Sequence, residues 1–264
     1  MGIRLHADDL GLSPGSDAIF FDCIENGNCR SVSLLPNGDN FEGAIQFLTR
    51  HPEVHVSVHF NLVEGKALAE QNDMENSGVD EQGNFNLGFV GLWIAALRSP
   101  AKTIPWIMGE LTAQAARVRK ALGPNRPLSM DGHVHTHMLP PIFRLLPSLA
   151  AEYKIQSIRI PFEPLCPVVF LKNINNLGLA KNLLLNMLSI QRTSLRRRSA
   201  CVIGVLNTGK MTEKSITRDL AKCRGMDPVE IILHPAYING GPAFYSNPHR
   251  LIEAKLLNKI SQNP

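Results

Sequence analysis

Two acids stand side by side in Ala7-Asp8-Asp9-Leu10-Gly11, and three histidines recur at every second position in Asp131-Gly132-His133-Val134-His135-Thr136-His137. Imidazole nitrogens and carboxylate oxygens are ligands for a small divalent ion, and two nitrogens with one oxygen leave positions open for water and substrate. Adjacent residues of a regular strand point to opposite faces. Where a strand gives way to a loop that alternation can break, and both carboxylates then reach one pocket, one as ligand and one as proton acceptor. The plainer alternative is that one caps the following helix while the other is solvated. His59 stands on the polar side of an alternating run, where it could bind an ion or simply be hydrogen-bonded. Histidines two apart on an extended segment project to one side, so His133, His135 and His137 are expected to converge on one cleft. Arg159 in Ser157-Ile158-Arg159-Ile160-Pro161 and His234 in Ile231-Ile232-Leu233-His234-Pro235 each follow a strand-like run. Taken singly, the first reads as a surface ion pair and the second as a buried imidazole bonded to backbone.

Short apolar runs alternate with stretches of helical period, as expected when strands and helices take turns around a parallel sheet or barrel. Ser13 before Pro14 reads as an N-cap and first helical position, with Phe20, Phe21 and Ile24 on one face and Gly27 at the end. From His55 to Leu62 the residues alternate, placing Val56, Val58, Phe60 and Leu62 opposite His55, Ser57, His59 and Asn61. Between Val63 and Pro105 the periodicity weakens and Asp80-Glu81-Gln82-Gly83-Asn84 reads as an exposed turn. Segments 63–105 and 162–200 are candidates for a lid or rim. Ile107, Leu111, Ala115, Val118 and Leu122 mark a helix stopped by Gly123-Pro124, after which a strand leads to Asp131 and another helix starts near Pro140 or Pro141. Extended segments are expected at Ile155–Ile160 and Val229–Leu233. In α/β folds the strand ends carry the site.

The chain has 264 residues, 44% of them hydrophobic, enough for one large core. A formal charge of +4 is too small an imbalance to argue for nucleic acid. The five cysteines form no C-x-x-C pair and are read as reduced, buried thiols, so neither a disulfide framework nor a zinc ribbon is expected. No window reaches about 18 uninterrupted apolar residues, and the first residues lack the apolar stretch of a signal peptide, so a cytoplasmic protein is expected. Asn182 to Arg198 joins an apolar run to Arg192, Arg196, Arg197 and Arg198, the composition of a helix that touches a membrane surface or a lipid-linked substrate, or of a packed helix with a solvated end.

The motifs Ala7 to Gly15, His59 to Gly65, Asp131 to Pro140, Arg159 to Pro161 and Glu230 to Pro235 together resemble the YdjC-like family of carbohydrate deacetylases, which is similar to chitooligosaccharide deacetylase and more distantly to NodB-type polysaccharide deacetylases. The resemblance covers nearly the whole chain as a single domain, 1–264. It implies an α/β fold, a distorted (β/α) TIM-like barrel with its site at the C-terminal ends of the strands. It implies a hydrolase that removes the acetyl group from an N-acetylated sugar, with Asp9, His59 and His133 on a divalent ion, Asp8 as general base, His234 as the acid for the leaving amine and Arg159 orienting Asp8. Zinc suits such a donor set, with magnesium, manganese or cobalt as alternatives. A homodimer is also compatible with it. The chain departs from the family pattern at His6, Leu10 and Gly132, where a small polar residue, an aromatic and a serine are usual.

Two other readings remain open at this point. The His-x-His signature is shared with metal-dependent phosphoesterases and amidohydrolases, where it normally lies near the start of the chain. A sugar-binding protein without turnover would also keep such a pocket.

Overall fold

The computed structural model describes residues 2–69, 78–165, 177–191, 193–195, 201–236 and 248–261. Among these, seven strands form one parallel sheet: β1 (Ile3–Leu10), β2 (Ser31–Leu34), β3 (His55–Phe60), β4 (Leu128–Gly132), β5 (Ile155–Ile158), β6 (Cys201–Ile203) and β7 (Val229–Leu233), in the order β5-β4-β3-β2-β1-β7-β6. Of the barrel that the resemblance implies, the described residues form a parallel seven-stranded sheet with β5 and β6 at its edges. Its two edges approach where Val202 N–H in β6 donates to the Phe162 carbonyl beyond β5 at 2.8 Å. Among the described residues one backbone bond joins them there in place of a ladder.

The helices lie between the strands in sequence, as parallel pairing requires. They are α1 (Pro14–Glu25), α2 (Phe41–Arg50), α3 (Gly88–Arg98), α4 (Pro100–Leu122), α5 (Pro140–Phe143), α6 (Leu146–Glu152), α7 (Leu177–Leu188), α8 (Glu213–Lys222) and α9 (Pro248–Ser261). α1 begins as its sequence reads: the Ser13 side chain accepts from Ser16 N–H at 3.2 Å, Pro14 follows, and Gly27, at φ +73°, turns the chain away after the helix ends. α4 starts at Pro100, seven residues before the first periodic position, Ile107, and α3 fills the stretch whose periodicity is weak. Val79, Phe85, Leu92 and Ala96 from that stretch pack into the core. No helix is long and apolar enough to cross a membrane among the described residues. In α7, Leu185 and Leu188 pack inward while Leu183 and Met187 are exposed; Arg192 and Arg196 to Arg198 lie outside the described residues.

The sheet has two unlike faces. Val32 and Leu34 in β2, Val56 and Val58 in β3, Leu128 and Met130 in β4 and Ile231 and Leu233 in β7 face outward and are buried. The alternate positions face inward and, Ile232 apart, are polar. His6 bonds Ser31 at 2.6 Å and Ser33 at 2.7 Å, Ser33 donates to Asp131 at 2.7 Å, and His55 bonds Ser129, which bonds Ser157. Polar groups withdrawn from water in this way are tolerated because each finds a partner.

The outward face carries the hydrophobic stabilisation. Ile231→Ala, at a fully buried position, is expected to cost about 2–5 kcal/mol, read as a lower urea midpoint at unchanged m-value. A loss below about 0.5 kcal/mol would mean that this face is not packed.

Candidate metal centre

The C-terminal end of β1 breaks its own alternation. Ala7 pairs with Val32 and Leu10 with Leu34, so β1 carries one residue more than β2 between these pairs, a bulge. Asp9 takes φ +79°, a left-handed conformation that aspartate tolerates better than most residues. The bulge turns both carboxylates into a cavity of about 210 Å³ that His59, His133, His135 and His234 also line. A larger cavity, about 870 Å³, opens at the opposite end of the strands beside Arg4, Ser31, His55 and Ser157, and holds none of the expected ligands.

Asp9, His59 and His133 converge. Asp9 Oδ1 lies 3.4 Å from His59 Nε2 and 3.0 Å from His133 Nδ1, and the two nitrogens are 3.4 Å apart. Each imidazole turns its other nitrogen to a carboxylate: His59 Nδ1 to Asp131 Oδ1 at 2.7 Å, and His133 Nε2 to Glu64 Oε2 at 3.2 Å. This pairing fixes the tautomer that leaves a lone pair for an ion, and it raises the basicity of the ligand. Asp131 reaches His59 because the two residues are register partners on β4 and β3. Both Asp131 and Glu64 sit inside the motifs read above without having been given a role.

The charge balance fits a divalent cation. Asp8, Asp9, Asp131 and Glu230 are buried against two buried guanidiniums, Arg159 and Arg250, two more acids than guanidiniums, and Lys181 lines the same cavity. Burial alone would depress His59, yet its bonds to Asp131 and Asp9 raise it to about 10; His133 is raised against burial by Asp9 and Glu64. In the absence of an ion, protons on these imidazoles make good the missing positive charge. His6, Asp8 and Asp131 also bring donor atoms together. There Arg159 Nη1 already sits 3.0 Å from Asp8 Oδ2 and 3.2 Å from Asp131 Oδ2, so a guanidinium fills the place a second ion would take.

Asp8 is separated from this ligand set by its partners. Arg159 donates to both of its oxygens at 3.0–3.1 Å, and His6 Nε2 lies 3.2 Å away. Burial opposes ionisation of Asp8, but the Arg159 charge and the His6 bond outweigh it and hold the carboxyl well below its usual range. Arg159 is fully buried and also donates to Glu230 at 2.9 Å, which overturns the surface ion-pair alternative. His234 Nε2 stands 3.9 Å from Asp8 Oδ2. Burial, only partly offset by Asp9 and Asp8, lowers His234 to about 4, and its Nδ1 is buried with no hydrogen-bond partner. Glu253 Oε2 stands 3.8 Å from that nitrogen, beyond hydrogen-bond range.

The histidine run differs from its sequence reading. Residues His133–Met138 form a 3₁₀ turn in which Val134 and His135 have φ +50° and +60°, so the segment is not extended. His133 and His135 still line the cavity, but His137 turns under it, with Nε2 2.9 Å from the Arg159 carbonyl. A Cβ on Gly132 would come within 2.8 Å of His137 Nδ1, so glycine stands where the family has serine to admit this imidazole. His135 offers no atom to the ligand cluster among the described residues, and the His-x-His pair is not its basis. Arg250 in α9, whose guanidinium lies 3.2 Å from Asp9 Oδ2, carried no signal in the sequence because its helix bears no motif.

The family model described as YdjC-like protein matches residues 2–259. A carbohydrate deacetylase of Mus musculus is 33% identical over 157 residues, 60% of this chain and 49% of that protein, so the match spans about half the length of the relative. A crystal structure from Enterococcus faecalis V583, of a protein provisionally assigned to cellobiose-phosphate cleavage, superposes with a TM-score of 0.68 at 19% identity, covering 98% of this chain and 93% of the other. The likeness to that structure is one of fold.

Ion binding at this cluster must displace protons held by the imidazoles, His59 above all. Zinc titrated calorimetrically in buffers of different ionisation enthalpy is expected to release protons and to bind more weakly as pH falls. Heats independent of the buffer would contradict the charge balance.

Proposed function

The chain belongs to the YdjC-like family, and from that premise and the geometry of the cleft we propose that it is a metal-dependent hydrolase that removes the acetyl group from an N-acetylated sugar or oligosaccharide and releases acetate. The observation that carries this reading is a bulged strand end at which one acid, Asp9, joins two imidazoles while its neighbour, Asp8, stays unligated and ionised. The name of the mouse relative, a carbohydrate deacetylase, agrees with it.

Asp9, His59 and His133 would hold the ion, zinc by its preference for such nitrogen and oxygen donors. When bound, it supplies Lewis acidity toward the acetyl carbonyl and toward a water molecule. Asp8 takes the proton from the attacking water. Arg159 keeps Asp8 aimed and ionised, since it grips both carboxylate oxygens without being able to release a proton itself. His234 is neutral at pH 7 and acts as an acid only after receiving a proton inside the site. Asp8 Oδ2, 3.9 Å from its Nε2, is placed to pass that proton on, so that what Asp8 collects His234 delivers to the departing amine. Glu64 and Lys181, from the segments 63–105 and 162–200, would border the entry of the sugar; residues 70–77, 166–176, 192 and 196–200 of those segments lie outside the described residues.

Acetate release from N-acetylglucosamine oligomers, with bound metal counted by elemental analysis, tests the assignment. Asp8→Asn is expected to keep its metal while kcat falls roughly 10²- to 10⁴-fold. His133→Ala is expected to lose both metal and turnover. Full activity in Asp8→Asn, or turnover that survives thorough chelation, contradicts the mechanism.

A further inference from the structure

Lys181, in α7, lines the same cavity as Asp8, Asp9 and His234. The mechanism above does not use it. An ammonium has three donors, and among the described residues Lys181 Nζ has one hydrogen-bond contact, to Thr208 Oγ1 at 3.5 Å, the outer limit of bonding. Thr208 gives its own hydroxyl hydrogen to the backbone at Gly204 and Val205, each 2.8 Å away, so its oxygen faces Lys181 as an acceptor and fixes where Nζ rests. Burial pushes the Lys181 ammonium down from its ordinary value, and the fields of Asp8, Asp9 and Glu163 only partly restore it.

The other cations of the cleft behave differently. Arg159 and Arg250 touch the acids they neutralise, at 3.0–3.2 Å. A lysine present only to offset those acids would be drawn into contact with them as well. Lys181 forms no such ion pair among the described residues; it holds a desolvated positive charge, and spare donors, toward a space that substrate would enter. That is the property of a group matched to charge that develops during a reaction, because a donor set in place beforehand needs no reorganisation when the charge appears.

We propose that Lys181 is the oxyanion-stabilising residue of this cleft, donating to the acetyl oxygen of the scissile amide as that oxygen becomes negative. The inference rests on the deacetylase reading. In the step concerned, the oxygen of water bonds to the carbonyl carbon and the C=O electron pair moves onto the oxygen facing Lys181. The pair returns when the C–N bond breaks, the nitrogen takes a proton and acetate leaves.

Lys181→Met keeps the length of the side chain and removes the charge. In metal-loaded protein its kcat for acetate release is expected to fall roughly 10²- to 10³-fold with KM within about threefold, and Lys181→Arg is expected to recover part of the loss. Acetate, whose carboxylate carries its charge on the same kind of oxygen, is expected to bind Lys181→Met at least about tenfold more weakly than wild type by calorimetry. A rise in KM at unchanged kcat, or no change in either constant, overturns the proposal; Lys181→Gln replaces Lys181→Met if thermal melting shows the latter unfolded. The two readings fail separately. A wild-type protein that releases no acetate from any N-acetylated sugar ends the deacetylase reading, and the acetate titration then decides Lys181 alone: weaker binding in the variant upholds its assignment to a charged oxygen, and equal binding removes it.

Discussion

A guanidinium with no access to solvent, that of Arg159, ties three strands together from inside the sheet. It bonds Asp8 of β1 and Glu230 of β7 and lies 3.2 Å from Asp131 of β4. An ion pair this deep persists only when its geometry and hydrogen bonding are nearly complete, since removing either partner strands a charge in a low-dielectric interior. The rest of the cleft follows from it. Asp131 can brace His59 because Arg159 and Ser33 satisfy its other oxygen, and Asp8 stays ionised because Arg159, unlike lysine or histidine, has no proton it can yield at accessible pH.

Two neighbouring aspartates thereby acquire different chemistry. They differ neither in type nor in burial; what separates them is the extra residue in β1 and the left-handed turn at Asp9, which point one carboxylate at a guanidinium and the other at two imidazoles. Charge completes the division. The acids outnumber the buried guanidiniums, and that excess makes His59 and His133 basic enough to hold protons or, with the protons displaced, an ion. The polar inner face of the sheet, with its serines and His6, lets such groups lie within a sheet whose other face is covered by apolar packing.

What could be read in the sequence was what is local. The Ser13-Pro14 cap, the alternation from His55 to Phe60, the strand to Asp131 and the helix ending at Leu122 depend on neighbours within a few residues, and all are present. The spacing of His133, His135 and His137 misled because alternation assumes an extended backbone, and a valine at φ +50° is a conformation that local preference argues against. Arg250 and Lys181 were invisible for another reason: each arrives on a helix far along the chain, and only tertiary packing brings it to the cleft. Asp131 lay between these cases, present in a motif but given meaning only by its register with His59.

We propose that the excess buried negative charge at the end of β1 seats one divalent cation. Crystals soaked in zinc and measured on both sides of the zinc absorption edge test it most directly. The account predicts a single anomalous peak at about 2.0–2.2 Å from an oxygen of Asp9, His59 Nε2 and His133 Nδ1, with Arg159 still on Asp8. An absent peak, or one among His6, Asp8 and Asp131 with Arg159 displaced, would contradict it.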